Sequence, residues 1–398
     1  MKSSKLNSLN RLLSFLLIAV LLVCTVGFAA GGLQSVPNEP DSGENGIPTD
    51  KTDENTDGNN NENNPSLNPP EDSDNSNDDN SNEDNTTPPQ EDLTPPEPPI
   101  EIPKYYNIAT GLETTEEISK ATPIGFVINP EMSIYGISGA DISIEFPIEN
   151  GSTRMLAYTT NPAMLWKVGA MSKTRAFISS SSNFFGGIVV SYGNDDIIKY
   201  SAWDTSKVEL DISKFSECYF IENTLYIYTS QDMVKSAVQK KGMLQNSGYK
   251  TMPYLFRESQ DSILGPVSAN TVRLPYSEAN ETTFYYSEAS NQYLYFKSGS
   301  RKVDMLNGKN IAFTNIYILF ANATTYEKAD GTELVIDTVS GGSGYYISCG
   351  TMTEFRWSVD SNGELIFSAL NGSRLEVNRG NSYIGYFKAS NSSLVTIN

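Results

Sequence analysis

The amino-acid composition changes abruptly near residue 103, and this change limits which part of the chain can fold. Residues 31–103 hold 19 of the 48 acidic residues and 13 of the 20 prolines, with Lys51 as their single basic residue and no aromatic residue. Such a segment buries too little apolar surface to offset the conformational entropy that ordering costs, so we expect a disordered linker. The folded part is thereby confined to residues 104–398.

Most of the formal net charge of −20 belongs to this linker. Residues 104–398 carry 24 basic and 29 acidic side chains, which gives the folded part a net charge of −5. A protein that binds DNA or RNA normally presents a basic surface to the phosphates. Because the folded part has no such excess of positive charge, nucleic acid is not an expected partner.

The N-terminus has the pattern of an export signal. Lys2, Lys5 and Arg11 precede an apolar run of 19 residues at positions 12–30, which is typical of a secretory signal peptide over residues 1–30. The run is close to the ~20 residues that span a bilayer, so a retained membrane anchor is an alternative, and lipidation is a third. In each case we expect an extracytoplasmic protein, either secreted or anchored to the outer face of the membrane, that touches the membrane only through this segment.

Residues 104–262 predict a mixed α/β domain, because short strands alternate with helices. Apolar and polar residues alternate over residues 142–146, as in a half-buried strand. A helix is predicted from Lys173 to about Asn183. A clearer one is predicted at QDMVKSAVQKK, which Ser230 caps at its start and Gly242 ends.

Residues 263–398 predict a second, antiparallel β-rich domain, so that the whole folded part belongs to the α+β class. Asn-Gly and Asp-Gly pairs supply the positive φ that tight hairpin turns need. Four such pairs lie between alternating apolar runs, at residues 307–308, 330–331, 362–363 and 371–372.

Two cysteines, Cys218 and Cys349, lie in opposite halves of the folded part. Their spacing matches neither a compact disulfide framework nor a set of metal ligands. We expect two free thiols, and a single disulfide in an oxidising compartment is the alternative.

Charged residues concentrate in one otherwise apolar stretch, residues 141–175, which includes Glu145, Glu149, Arg154 and Arg175. In a continuous strand the two glutamates would lie about 13 Å apart, beyond the roughly 5–9.5 Å that separates the carboxylates of glycosidases. Three interpretations remain open: a structural cluster of ion pairs, a site that recognises an anion or other ligand, and a catalytic site.

The sequence lacks the residues of several common catalytic and cofactor sites. It contains no histidine, which excludes a Ser-His-Asp triad. The glycine-rich residues 341–344 are followed by a strand pattern instead of the Lys-Ser/Thr and helix of a phosphate-binding loop. We therefore expect no metal and no cofactor.

Several motifs of the folded part are similar to those of a known family. They are ATGLETTEEISKATPIGFVIN (109–129), ADISIEFPIENGSTR (140–154), VGAMSKTRAF (168–177), VDMLNGKNIAFTNIYI (303–318) and VIDTVSGGSGYYISCGT (335–351). On these motifs the chain resembles the YerB-like lipoproteins of Gram-positive bacteria over residues 107–388.

This resemblance implies two consecutive domains and no established biochemical activity. By position, the polar pattern of the family matches Glu145, Glu149, Gly151, Thr153, Arg154 and Arg175, and further along Asp304, Asn315, Asp337 and Trp357. The resemblance thereby adds Thr153 and Asp337 to the candidate binding residues.

The expected function is that of an exported, cell-envelope-associated protein that binds a wall polymer, a peptide or a partner protein without catalysis. One alternative is a carboxylate-dependent glycan hydrolase, which requires Glu149 to converge with Glu145 or Asp337. Another is a structural or assembly role, in which a hairpin edge adds a strand from a partner.

Overall fold

The computed structural model describes residues 103–161, 165–194, 208–243, 248–259, 261–328 and 331–398. The predicted signal or anchor segment (1–30) and residues 31–102 of the predicted linker lie outside the described residues. None of the described helices is both long and apolar enough to cross a membrane.

The described residues are rich in strands, with far fewer residues in helices, as the sequence predicts for the second half. The α-helices are α1 (Glu116–Lys120), α2 (Ala176–Ser179), α3 (Ser182–Phe185) and α4 (Gln231–Lys241). Before residue 263 the strands are β1 (Tyr105–Tyr106), β2 (Glu113–Thr114), β3 (Ile124–Ile128), β4 (Ile142–Pro147), β5 (Thr153–Thr159), β6 (Val168–Gly169), β7 (Ile188–Ser191), β8 (Glu209–Asp211), β9 (Phe220–Glu222), β10 (Tyr226–Thr229) and β11 (Leu255–Phe256). The later strands are β12 (Val267–Ser268), β13 (Thr271–Pro275), β14 (Glu281–Ser287), β15 (Gln292–Lys297), β16 (Ser300–Arg301), β17 (Ala312–Phe313), β18 (Asn315–Ala321), β19 (Ala323–Lys328), β20 (Gly331–Ile336), β21 (Gly342–Ser348), β22 (Thr351–Val359), β23 (Leu365–Ala369), β24 (Glu376–Val377), β25 (Ser382–Lys388) and β26 (Thr396–Ile397).

One sheet of eleven strands joins the two halves of the described chain. Its order is β12-β22-β21-β18-β25-β4-β5-β3-β7-β8, with β23 paired to β22. Strand β25 lies between β18 and β4 and is parallel to both, so that Ser382 pairs with Asn315 on one side and with Ile142 on the other. Strands β18 and β4 are buried along their whole length, as expected for strands covered on both faces. The predicted boundary at 262/263 lies between β11, which pairs with β24 in a separate two-stranded sheet, and β12, which begins the edge of the large sheet.

A second, six-stranded antiparallel sheet, β16-β15-β14-β13-β26 with β17 on β15, covers one face of the large sheet. Its buried residues Phe284, Tyr293 and Phe313 share a hydrophobic core with Met155 of β5 and Ile318 of β18. Burial alternates along β15, as expected for a strand with one face against a core.

The other face of the large sheet packs against aromatic side chains from several segments. Phe146 of β4 contacts Phe177 of α2 at a ring distance of 5.8 Å and stacks on Tyr386 of β25 at 4.9 Å. Trp357 lies in the same core, with its ring 6.0 Å from that of Tyr386. The large sheet thus separates two cores, and neighbouring residues of β4 point into different ones.

Of the two helices predicted from the sequence, the one that starts after Ser230 is confirmed and the one predicted from Lys173 is not. Helix α4 begins after Ser230, whose hydroxyl accepts a hydrogen bond from the Met233 amide, and ends at Gly242 with φ 65°. The helix predicted from Lys173 to about Asn183 is instead two single turns, α2 and α3. The backbone of Arg175 is extended, with φ −131° and ψ 156°, so the helical segment begins only after it.

The Asn-Gly pairs mark turns, as predicted. Gly308, Gly363 and Gly372 have φ of 72°, 78° and 87°. Gly331 begins β20 opposite the end of β19, while Asp330 lies outside the described residues. Cys218 and Cys349 are both free thiols, and no disulfide joins them.

Candidate functional site

Glu145 of β4 is fully buried, and its carboxylate is enclosed by donors. It lies opposite Met155 of β5, so its side chain enters the core beneath the six-stranded sheet. Five side chains donate hydrogen bonds to its two oxygens: Lys297 Nζ (2.6 Å), Thr153 Oγ1 (2.6 Å), Tyr383 OH (2.8 Å), Thr282 Oγ1 (3.1 Å) and Tyr295 OH (3.2 Å).

The charge of Lys297 decides the ionisation of this carboxylate. Burial by itself would raise the pKa of Glu145, but the nearby ammonium and the hydrogen bonds from Lys297 and Thr153 outweigh it and lower the pKa below its ordinary value. The Lys297 ammonium also lies 5.0 Å from the ring centre of Tyr276. Catalysis by Glu145 would require a substrate to displace several of these donors inside the core, so the contacts favour a structural role.

Glu149 and Arg175 meet in a second buried ion cluster. Arg175 Nη2 donates to Glu149 Oε2 at 2.9 Å, and Nη1 lies 3.3 Å from Oε1 of Glu333 on β20. The backbone amide of Leu334 also donates to Glu149 Oε1 at 2.8 Å. Glu333 is fully buried and Arg175 is 2% exposed, so a ligand cannot reach this guanidinium in the structure as it stands.

The structure thus divides the predicted cluster into two. Glu145 is paired with Lys297, and Glu149 with Arg175. Thr153 belongs to the first group, whereas Arg154 follows it on β5 and points to the opposite face of the sheet. As a binding site, these residues stay a prediction.

Asp337 forms a turn at the end of β20. Its carboxylate accepts hydrogen bonds from the amides of Val339 and Ser340, at 3.0 and 2.9 Å. Burial by itself would raise the pKa of Asp337, but a hydrogen bond from the Ser340 side chain and those from the two amides outweigh it and lower the pKa. A local backbone role therefore accounts for this residue.

Three further residues matched by the family resemblance also have clear structural contacts. The Asp304 carboxylate accepts hydrogen bonds from the backbone amides of Gly136 and Ser138, at 2.8 and 2.9 Å, beside a cavity of about 200 Å³. Asn315 Oδ1 accepts from the Tyr346 hydroxyl at 3.0 Å, and the Trp357 indole donates to the carbonyl of Phe320 at 3.3 Å. Among the described residues, no group of Cys, Asp or Glu side chains could hold a metal ion.

A larger cavity, of about 510 Å³, lies elsewhere and was not predicted from the sequence. Its lining comes from segments far apart in the chain: the β1–β2 hairpin, residues 257–259 and 261–262 after β11, residues 378–379 after β24, and the single residues Asn291, Thr314 and Cys349. We call four of its less exposed lining residues the floor; they are Arg257, Thr314, Cys349 and Asn378. We call its exposed charged residues the rim; they are Lys104, Glu113, Glu258, Asp261 and Arg379.

The guanidinium groups of the cavity differ in their surroundings. Arg379 donates from Nη1 to the Gly111 carbonyl at 2.9 Å and from Nε to the Arg257 carbonyl at 3.2 Å, and it lies 5.5 Å from the ring centre of Tyr106. Arg257 is a partly exposed residue, and its guanidinium forms no hydrogen bond or ion pair with another described residue. A sequence signal for this site is lacking, because its lining residues are isolated from each other along the chain.

Comparison with known proteins agrees with this fold. Residues 272–384 match a domain described as "Protein of unknown function (DUF3048) C-terminal domain". The crystal structure of the YerB protein from Bacillus subtilis superimposes with a TM-score of 0.62 at 24% sequence identity, covering 74% of this chain and all of that one. The fold is YerB-like.

The predicted resemblance to a YerB-like family of unknown function is thereby confirmed. The comparison with curated proteins gives no match. The matched C-terminal domain contains the floor residues Thr314, Cys349 and Asn378, while Arg257 comes from outside it. The cavity of this YerB-like chain is therefore completed by residues that precede the matched domain.

Proposed function

We propose that this YerB-like protein is a non-enzymatic binding protein that acts outside the cytoplasm, and that its ligand binds in the cavity above Arg257. The observation that carries the proposal is the cavity itself. Its volume of about 510 Å³ lies in the range that proteins use to bind small molecules and short polymer ends. The signal or anchor pattern at residues 1–30 and the acidic linker support a location at the cell envelope.

The lining of the cavity supports binding more than catalysis. Arginine side chains provide planar, permanently charged donors for oxygen-rich ligands. Arg379 is fixed by two backbone carbonyls, which lowers the entropy lost when a ligand binds. The carboxylates of Glu145, Glu149 and Glu333, which lie outside the cavity lining, are already paired with basic side chains.

A direct test compares the full chain with an Arg257→Ala variant. Each protein is equilibrated by dialysis against a muramidase digest of purified cell wall, and retained compounds are identified by mass spectrometry. Arg301→Ala is the matched control, because Arg301 is an exposed arginine that does not line the cavity. We expect the wild type and the control to retain the same compounds and Arg257→Ala to lose them. Equal retention by all three proteins would place binding elsewhere and overturn the proposal.

A further inference from the structure

We infer that the cavity takes a short peptide by its terminal carboxylate, with a positively charged group of the peptide near the rim. This inference rests on the proposed binding function and names the ligand class. It follows from the different charges of the floor and the rim.

The floor carries a positive charge without a countercharge. Asn378 is buried, and its amide nitrogen is used in hydrogen bonds to the Ile263 carbonyl and the Ser348 hydroxyl, at 3.1 and 3.0 Å. Its Oδ1 accepts from the Ile263 amide at 2.7 Å, so this side chain is already satisfied. Arg257 is the charged residue of the floor; its backbone is hydrogen-bonded, but its guanidinium has no hydrogen bond or ion pair with another described residue. The guanidinium is therefore available to an anionic group of a ligand in the cavity, with which it would form charge-assisted hydrogen bonds.

A carboxylate fits this guanidinium by geometry. A guanidinium offers two parallel N–H groups to the two oxygens of a carboxylate, which gives a bidentate ion pair. Arg379 lies next to it, because its Nε binds the carbonyl of Arg257 itself. Of its five N–H groups, the described contacts use one on Nε and one on Nη1. The second arginine can therefore bind the same end of the ligand.

The rim argues against a phosphate polymer and for a peptide. Three carboxylates, Glu113, Glu258 and Asp261, are exposed around the opening, and Lys104 lies 3.6 Å from Glu113. A polyanion would place further negative charges beside these carboxylates, which is unfavourable even after screening by salt. A peptide with one terminal carboxylate and an amino group further along matches the positive floor and the acidic rim together. A cavity of about 510 Å³ has room for a short peptide.

The test uses three probes with the full-length protein in isothermal titration calorimetry. The first is the tripeptide Lys-Ala-Ala with a free carboxylate, the second is the same peptide as its C-terminal amide, and the third is inorganic polyphosphate. We expect the free acid to bind and the amide to bind at least about tenfold more weakly, because a charge-assisted contact is lost. Polyphosphate should bind more weakly than the free acid.

Variants assign the effects to the floor and the rim. Arg257→Ala should weaken binding of the free acid by about tenfold to a hundredfold, and Arg301→Ala should leave it unchanged. Glu258→Gln combined with Asp261→Asn should weaken the free acid and strengthen polyphosphate, since the rim loses negative charge.

The outcomes separate the ligand class from the binding function. Equal binding of the acid and the amide, or tighter binding of polyphosphate, would overturn the peptide inference. If the tripeptide acid fails while wall fragments are retained in an Arg257-dependent manner, the inference is wrong and the binding function stands. If neither the tripeptide acid nor the wall fragments bind, both the peptide inference and the proposed binding function are wrong.

Discussion

The ammonium of Lys297 lies 2.6 Å from Oε1 of Glu145, and both side chains are withdrawn from solvent. Lys297 ends strand β15 of the six-stranded sheet, whereas Glu145 belongs to strand β4 of the large sheet. Tyr295 of β15 and Tyr383 of β25 donate to the same carboxylate. This polar group therefore connects the two sheets inside an otherwise apolar core.

Replacement of Lys297 by methionine should destabilise the protein strongly. The variant leaves the Glu145 carboxylate buried without its countercharge, which typically costs about 3–5 kcal/mol. The free energy of unfolding from urea titration measures this loss. The double variant Glu145→Gln, Lys297→Met should recover part of it, because no buried charge remains. Lys309→Met, at an exposed lysine, is the control and should stay near the wild type; a similar value for Lys297→Met would contradict the argument.

The same pair should make stability depend on pH in the acid range. The pKa of Glu145 is lowered in the folded protein from an ordinary value of 4.5. Its stabilising effect is thus complete above that value and is lost as the pH falls toward the folded pKa. We expect the wild type to lose more unfolding free energy between about pH 7 and about pH 3 than the double variant, which has neither titrating group. The pKa values of Asp211 and Asp337 are also lowered in the folded protein, so the unfolding free energy of both proteins should still decrease somewhat as the pH falls. Equal losses in the two proteins would refute the role of Glu145.

Local signals in the sequence predict turns and one helix, because those structures depend on neighbouring residues. Helix α4 follows from the cap at Ser230 and the glycine at Gly242, and the turns follow from Asn-Gly pairs. The place of β25 between β4 and β18 could not be predicted in this way. Ser382 and Ile142 are paired although most of the folded sequence lies between them. An apolar run shows only that a strand is buried, and does not show which strand it pairs with.

The ion pairs, too, could be predicted from the sequence only in part. Lys297 follows Tyr293 and Tyr295 at alternate positions of β15, so the sequence could have indicated an inward-facing lysine. Which acid it meets depends on how the two sheets pack, and the pattern does not contain that information. A cluster of ion pairs was one interpretation of residues 141–175, and Glu149 and Arg175 form such a pair, but Glu333 enters it from a distant hairpin.

Replacement of Arg175 should also destabilise the protein, because it removes the positive charge that is paired with two carboxylates. Arg175→Met leaves Glu149 and Glu333 without this guanidinium in a buried site, so we expect a loss of about 3–5 kcal/mol in unfolding free energy. Adding Glu333→Gln to this variant should restore part of the stability, since one buried negative charge is removed. Arg356→Met, at an exposed position of β22, is the control. No recovery in the double variant would show that charge is not the cause.

Two glycines with nearly the same φ separate backbone strain from lack of space. Gly187 has φ 79° and Gly363 has φ 78°. A Cβ on Gly363 meets no atom within 4 Å, whereas one on Gly187 would collide with the carbonyl oxygen of Pro123 beside β7. Gly363→Ala should therefore cost only the strain of positive φ, about 1–2 kcal/mol, and Gly187→Ala should cost clearly more. Thermal or urea unfolding of the two variants gives the comparison, and equal losses would show that the backbone around Pro123 can shift freely.

The two described cysteines should differ in reactivity, and one of them can report on the cavity. Cys218 is fully buried, and burial raises the pKa of its thiol, while Cys349 is partly exposed on the cavity floor. Because the thiolate is the reactive form, iodoacetamide should modify Cys349 in the folded protein and Cys218 only after unfolding. Peptide mapping by mass spectrometry measures each site separately. Lys-Ala-Ala with a free carboxylate should slow the reaction of Cys349, and its amide should do so much less. Rapid alkylation of Cys218 in the native protein, or an unchanged rate at Cys349 with saturating peptide acid, would contradict the burial of the first thiol or the occupancy of the floor.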